Sequence, residues 1–314
     1  MVSELLPVIT SIARLYYLDG LGQSEIAKIC GISRSTVSRA LTTARERGIV
    51  RISVDDYDPR DAASERELSD RLGLKRAIVV RSTGEAMPTV SRAVGYFASA
   101  TVAKWLSGYR TVGVSGGRTL AEVIHAMDVH PDRAGVKVVQ LTGMIESTSS
   151  RVDASRLSRM VSNRFQAACF PINAPAIVRD AGMHARFLSH TQIQSVRNMF
   201  GSLDVALVGI GTLADSAFAE RQVIGDTDLA ELRRAGAVGE ICGRFYDASG
   251  TECLTGHRSR VIGIELETLR SGPEVIAVTN GPERKAAILA AITGGLVHSL
   301  VIDQAGAKSL LGKP

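Results

Sequence analysis

The stretch from residue 20 to residue 54, GLGQSEIAKICGISRSTVSRALTTARERGIVRISV, constrains this chain more than any other. Its apolar residues recur at helical spacing in two short runs with a glycine between them. Ile26, Ala27 and Cys30 mark the inward side of a helix over residues 23–30. Gly31 then supplies a residue that accepts positive φ, which a sharp turn between helices requires. Ser33 stands as the N-cap of a second helix over residues 33–47, where its hydroxyl can accept from the orphan amides of the first turn. Val37, Ala40, Leu41 and Ala44 give that helix an inward stripe, and Ser35, Ser38, Arg39 and Thr42 lie on the opposite side.

An outward face of short hydroxyls and arginines suits the major groove of double-stranded DNA. Hydroxyls approach phosphates closely, and an arginine donates two bonds to guanine O6 and N7, worth about 1–3 kcal/mol of discrimination. The pattern is that of a helix-turn-helix with its recognition helix second. The candidate DNA-binding residues are Gln23, Ser33, Arg34, Ser35, Thr36, Ser38, Arg39, Thr42 and Arg45. A helical hairpin with a merely solvated polar face is the plainer alternative. The turn glycine, the cap, the small inward residues and a basic end (Arg45, Arg47 and Arg51 against Glu46) together favour DNA.

The chain has 314 residues, a comfortable length for two domains, and a formal net charge of +5, which permits nucleic-acid binding without requiring it. Its four cysteines (Cys30, Cys169, Cys242 and Cys253) form no C-x-x-C pair and have no histidine at ligand spacing. They read as reduced thiols of a cytoplasmic protein, with no metal site and no cofactor expected. The N-terminus lacks a secretory signal pattern, and no apolar run approaches the ~18 residues of a membrane span.

Taken in order, residues 3–18 are expected to form a first helix with Leu5, Val8, Ile9, Ile12, Leu15 and Tyr16 inward. Residues 49–54 alternate like a strand, and the acidic, proline-ended segment 55–59 is the linker candidate. The expected boundary puts a helix-turn-helix domain at 1–56 and a larger domain at 57–314. In the second part, strands expected at 77–80, 111–115, 136–141, 204–210, 261–265, 274–278 and 299–302 alternate with helices at 60–72, 89–106, 120–127, 157–169 and about 281–296. Such alternation implies a doubly wound, mostly parallel α/β sheet, with ligands beyond the carboxyl ends of the strands.

Strand, glycine loop and helix succeed one another at residues 111–127, where Gly116, Gly117, Arg118 and Thr119 form the loop. That arrangement offers backbone amides to an anion at a helix start. It matches neither G-x-G-x-x-G nor the lysine-bearing nucleotide loop, so neither NAD nor ATP is expected. A purely structural turn is the alternative. Thr142 and Gly143 close the next strand, and Gly211 and Asn280 close later ones.

With both parts in view, the chain resembles the SorC family of bacterial transcriptional regulators over nearly its whole length. The resemblance rests on LYYLDGLGQSEIA, GISRSTVSRAL and ARERGIVRI, then on VGVSGGRT, VVQLTG, VGIG, AVGEICGRFYDASG and GGLVHSLVIDQAGAKSLL. It implies an effector domain similar to sugar-phosphate isomerases, a sugar, polyol or sugar-phosphate effector, operator DNA as partner, and a homodimer or homotetramer. It also implies that Gly116, Gly117, Arg118 and Thr119 form a phosphate loop with Lys285 adding charge, that Glu240 accepts sugar hydroxyls, and that Asp247 is a further candidate; Thr142 and Gly143 complete the set. Family members often carry a basic residue where Thr142 stands, so its absence favours a monophosphate or an unphosphorylated ligand. Gly22 stands where a threonine or serine usually caps the helix.

The resemblance leaves an enzyme as the rival reading. The similar deaminases carry an aspartate and a histidine after the glycine turn where this chain has Thr212, Leu213 and Ala214. Asp215 is nearby, but no histidine accompanies it, and His125, His130, His184, His190, His257 and His298 have no motif context. No catalytic residue is therefore assigned. The expectation is a regulator, most simply a repressor released by its effector, rather than a nonspecific nucleic-acid protein or an isomerase with a DNA-binding appendage.

Overall fold

Three helices make the first unit of this computed structural model, whose described residues are 2–52, 58–82, 86–128, 135–145 and 150–313. The chain divides into two units, Met1–Tyr57 and Asp58–Pro314. Helices α1 (Val2–Tyr17), α2 (Gln23–Cys30) and α3 (Arg34–Glu46) pack around Ile9, Ile12, Ala13, Ile26, Val37, Leu41 and Ala44. Val8, expected inside, is half exposed, because it lies about 100° around the helix from Ile9 and Ala13 takes the inward place. The side chain of Leu5 lies outside the described residues.

Gly31 closes α2 at φ +66, and the Ser33 hydroxyl accepts from the Thr36 amide at 3.1 Å, so the turn forms as its residues dictate. Gly22 caps α2 without a side-chain bond. Residues 49–52 are not a strand. Gly48 at φ +68 turns the chain back after α3, the Val50 amide donates to Ala44 O at 3.0 Å, and Ile49 and Val50 rest on the helical core. Ser53, Val54 and the linker residues Asp55, Asp56 and Tyr57 lie outside the described residues.

The second unit is built as an α/β sandwich. Its elements in order are α4 (Ala62–Leu72), β1 (Arg76–Val80), α5 (Met87–Leu106), β2 (Thr111–Val114), α6 (Arg118–Ala126), β3 (Lys137–Gln140), α7 (Ala154–Phe165) and β4 (Ala168–Phe170). Then come α8 (Ala181–Ser189), α9 (Thr191–Asn198), β5 (Val205–Val208), α10 (Ala217–Glu220), α11 (Asp226–Arg234), β6 (Gly239–Ile241) and β7 (Arg244–Tyr246). The chain ends with α12 (Leu266–Ser271), β8 (Glu274–Val278), α13 (Lys285–Thr293), β9 (Ser299–Asp303) and α14 (Gln304–Leu311).

Among the described residues seven strands form one parallel sheet in the order β1-β9-β8-β5-β2-β3-β4. Both faces are covered, which explains the near-continuous aliphatic strands. Ile78, Val112, Val114, Leu207 and Val301 face one core with α5, α6 and α7, while Val79, Ala206, Val208, Leu300 and Ile302 face the other with α4, α13 and α14. Helices α5 and α6 meet most closely at Gly95, where an added Cβ would fall 2.5 Å from the Glu122 Cβ.

Three sequence expectations need correction here. Residues 261–265 are not a sheet strand: they are extended backbone whose bridges run antiparallel to Thr142 and Ile177. The helix expected through Cys169 stops at Phe165, because Gln166 adopts φ +49 and ends it, and Cys169 joins β4. The hairpin β6–β7 was not anticipated; it turns on Cys242 (φ +55) and Gly243 (φ +80), positive at both central positions as a tight primed turn requires. No helix among the described residues is long and apolar enough to cross a membrane.

At the amino-terminal edge of the sheet, Glu274 gathers Lys75 (2.5 Å), Arg76, Tyr109 and the Ser299 hydroxyl (2.8 Å). Burial pushes this carboxyl up, but the four hydrogen bonds outweigh it and hold it down at about 2, against 4.5 when free. A lowered folded value means stability that is present above the free value and lost as pH falls towards the folded one. Glu274→Gln is expected to cost up to about 3 kcal/mol at neutral pH. It should also flatten the acid limb between pH 4.5 and 2. Denaturant unfolding of both proteins across that range checks this; parallel pH curves would remove Glu274 from the account.

Candidate functional site

On the first unit, α3 presents Arg34, Ser35, Ser38, Arg39, Thr42 and Arg45 to solvent, while Val37, Leu41 and Ala44 are buried. The polar face is therefore free to meet a groove. Ser33 and Thr36 are partly committed to each other: their hydroxyls lie 2.8 Å apart at the cap. Gln23 is half-buried at the first turn of α2.

The second site lies where the sheet order reverses. From β2 the chain proceeds outward through β3 and β4; on the other side lie β5, β8, β9 and β1. Loops leaving the carboxyl ends of β2 and β5 thus diverge and leave a crevice. Ser115 ties the two ends together, its hydroxyl accepting from the Gly209 amide at 3.3 Å. Gly117 caps α6 at φ +152, a conformation open in practice only to glycine. A Cβ on Gly116 would fall 2.8 Å from Val152 O, and one on Gly209 would fall 3.2 Å from Gly116 O. These glycines let three loops converge on one place.

The resulting cleft has a cavity of about 80 Å³, partly open to solvent, and is lined by Gly116, Gly117, Arg118, Thr119, Thr142, Gly211, Asp215, Glu240, Cys242, Thr279 and Arg284 among others. One end carries two guanidinium groups. Arg118, at the start of α6, pairs with Asp215 and, at 2.6 Å, with Glu220. Arg284 is only 4% exposed and holds the other oxygen of Asp215, Glu283 and the Asn280 carbonyl. Burial, then the Arg118 charge, lowers the Arg284 guanidinium to about 10. The first-turn amides of α6 belong to the same end and are orphan donors by position.

The other end is a buried carboxylate. Glu240 accepts from the Gly243 amide at 2.5 Å and from the Ser216 hydroxyl at 3.4 Å, and its backbone bridges to Gly211. Burial raises its carboxyl from 4.5 to about 7, against those two bonds, which lower it. Thr142 is buried and donates to Cys242 O at 3.2 Å. Thr119 donates to Asn280 Oδ1 at 3.0 Å, and the Asn280 amide donates to Ser91 of α5 at 3.3 Å, which links α5, α6 and the β8 loop in one polar cluster.

The structure thus brings Gly116, Gly117, Arg118, Thr119, Thr142 and Glu240 to one cleft and places three other candidates elsewhere. Lys285 is exposed, and Arg284 lines the cleft in its place. Lys285 came from the resemblance alone; a 3-10 turn over Pro282–Arg284 precedes α13 and leaves Arg284 as the buried residue of the two. Asp247 caps the turn after β7 by accepting from Ser249 and Thr251, at 2.9 and 3.0 Å. Gly143 permits a close backbone approach: a Cβ there would meet Pro175 O at 2.5 Å. Asp215 and Arg284 carry no motif of their own, and the proximity of the loop after β5 to the turn before α13 was the missing signal. Among the described residues, no group of three His, Cys, Asp or Glu could hold a metal ion.

Residues 59–312 match the family described as "Putative sugar-binding domain", and residues 14–47 match "Sigma-70, region 4". The chain is 31% identical to the deoxyribonucleoside regulator of Bacillus subtilis, with 95% of each chain covered. It is 30% identical to the sorbitol operon regulator of Klebsiella pneumoniae, covering 98% of this chain and 99% of that one. The crystal structure of the full-length sorbitol operon regulator SorC from Klebsiella pneumoniae matches with a TM-score of 0.77 at 29% identity, over 98% of each chain. These relatives are transcriptional regulators and not enzymes, and their similarity spans the helix-turn-helix and the α/β unit alike. The chain belongs to the SorC family of DNA-binding transcriptional regulators, with a C-terminal domain of the sugar-binding type.

Proposed function

We propose that this regulator controls a carbohydrate catabolic operon and is released from its operator by a phosphorylated sugar or polyol bound in the cleft. The observation that carries the reading is the two-ended chemistry of that cleft. Guanidinium groups and a helix start at one end suit an anion, and a buried carboxylate at the other suits hydroxyl donors. In this reading residues 1–56 read DNA, with Arg34, Ser35, Ser38 and Arg39 of α3 at bases or phosphates. Residues 57–314 bind the effector and join copies of the chain into a cytoplasmic homodimer or homotetramer. Effector and operator then oppose one another through a coupling of about 1–3 kcal/mol, typical of such linkage.

Thermal unfolding against a panel of sugars, polyols and their phosphates tests the effector class. A phosphorylated ligand at ~100 times its dissociation constant is expected to add about 2.7 kcal/mol of stability. Stabilisation by neutral sugars alone would sink the phosphorylated class. Arg39→Ala is expected to weaken binding to a genomic fragment selected by the wild-type protein by about 1–3 kcal/mol, read by fluorescence anisotropy. Unchanged affinity would take Arg39 out of the interface.

Glu240 adds a pH signature. Its folded value near 7 lies above the free 4.5, so its contribution to stability is complete below 4.5 and lost as pH rises through 7. A ligand hydroxyl donating to the ionised carboxylate reverses part of that loss. Effector affinity is therefore expected to rise with pH up to about 7 and then level off. Calorimetry of Glu240→Gln should show weaker binding whose remaining pH dependence is that of the ligand phosphate, with its second pKa of about 6; an unaltered pH profile would place the hydroxyl acceptor elsewhere.

A further inference from the structure

We propose that Asp215 is a specificity-determining residue that stands, inside the regulator itself, where the effector's anionic group binds, so that only a ligand able to displace it is read. The inference rests on the reading of the cleft as the effector site. Asp215 lies between Arg118 and Arg284, one carboxylate oxygen on each guanidinium. Its loop leaves β5 and is fastened on both sides of Asp215 to the far end of the cleft: Gly211 bridges to the Glu240 backbone, and the buried Ser216 hydroxyl donates to the Glu240 carboxylate. Glu220, farther along the same segment, takes the remaining terminal nitrogen of Arg118.

Charge decides what can take that place. Arg118 and Arg284 face three carboxylates, Asp215, Glu220 and Glu283, so the two guanidinium charges are already more than balanced. A neutral sugar offers nothing in exchange for two ion pairs. A carboxylate ligand exchanges one negative charge for another and leaves Asp215 without partners. A phosphate monoester brings nearly two negative charges and three acceptor oxygens at neutral pH, enough to engage both guanidinium groups and the amides of the α6 start together. Asp215 thereby sets a threshold that dianions pass and that neutral sugars and monoanions do not. Because the displaced residue sits on the segment fastened to Glu240, the anion and the hydroxyls of one ligand act on a single loop.

Calorimetric titration of the full-length protein with inorganic phosphate tests this, with acetate as the monoanion control. Asp215→Asn is expected to bind phosphate at least about fivefold more tightly than wild type, with a smaller gain for Glu220→Gln. Circular dichroism melting accompanies each titration, and Glu220→Gln, altered at an exposed position, carries the test if Asp215→Asn does not fold. Equal phosphate affinity in wild type and both variants would overturn the proposal and leave the cleft standing as an anion site. Phosphate bound by none of the proteins, with stabilisation by neutral polyols, would overturn both the proposal and the phosphorylated class of effector.

Discussion

Everything at the carboxyl edge of the sheet depends on how near two backbones can come where β2 and β5 part. Side chains at Gly116 and Gly209 would collide with carbonyl oxygens, and at Gly117 the backbone itself excludes them. With those atoms absent, the α6 start, the loop after β5 and the segment at Val152 close on a common point. The parallel sheet supplies the divergence of the loops; the glycines let the divergence begin at contact distance. A cleft results, in place of either a solid core or an open groove.

The cleft separates two electrostatic regimes within one small volume. At one end, guanidinium groups are brought together and made tolerable by carboxylates, so that burial lowers Arg284 without discharging it. At the other, a lone carboxylate buried without a cation is raised towards neutrality. Breaking a buried pair by removing one partner is costly because it leaves an uncompensated buried charge. The first end therefore yields only to a group that takes over both guanidinium partners of Asp215 at once, and the second to a hydrogen-bond donor.

Much of this was legible in the sequence. Local rules were sufficient for the Gly31 turn, the Ser33 cap and the glycine loop before α6, because each depends on residues adjacent in the chain. The parallel sheet followed from alternating apolar runs. What escaped was non-local or phase-dependent. Arg284 was passed over because Lys285 was carried over from the resemblance, and which of the two adjacent residues is buried depends on the 3-10 turn before α13. Asp215 acquires meaning only from arginines contributed by two distant segments. Residues 261–265 read as a strand because extended backbone and β-rich composition look alike whether or not a sheet neighbour is present. The β6–β7 hairpin was hidden by a cysteine at a position where asparagine or glycine is the usual marker.

The contact at Gly95 gives the α5–α6 pair a mechanical character. With no side chain on Gly95, α5 lies directly against the Glu122 Cβ and backbone of α6, so any larger residue there would force the two helices apart. Ser91, one turn earlier on α5, is tied through Asn280 to Thr119 at the head of α6. The pair is thus held at two points along its length. On its outer side α5 carries the exposed Tyr96 and Phe97 rings, packed edge to face.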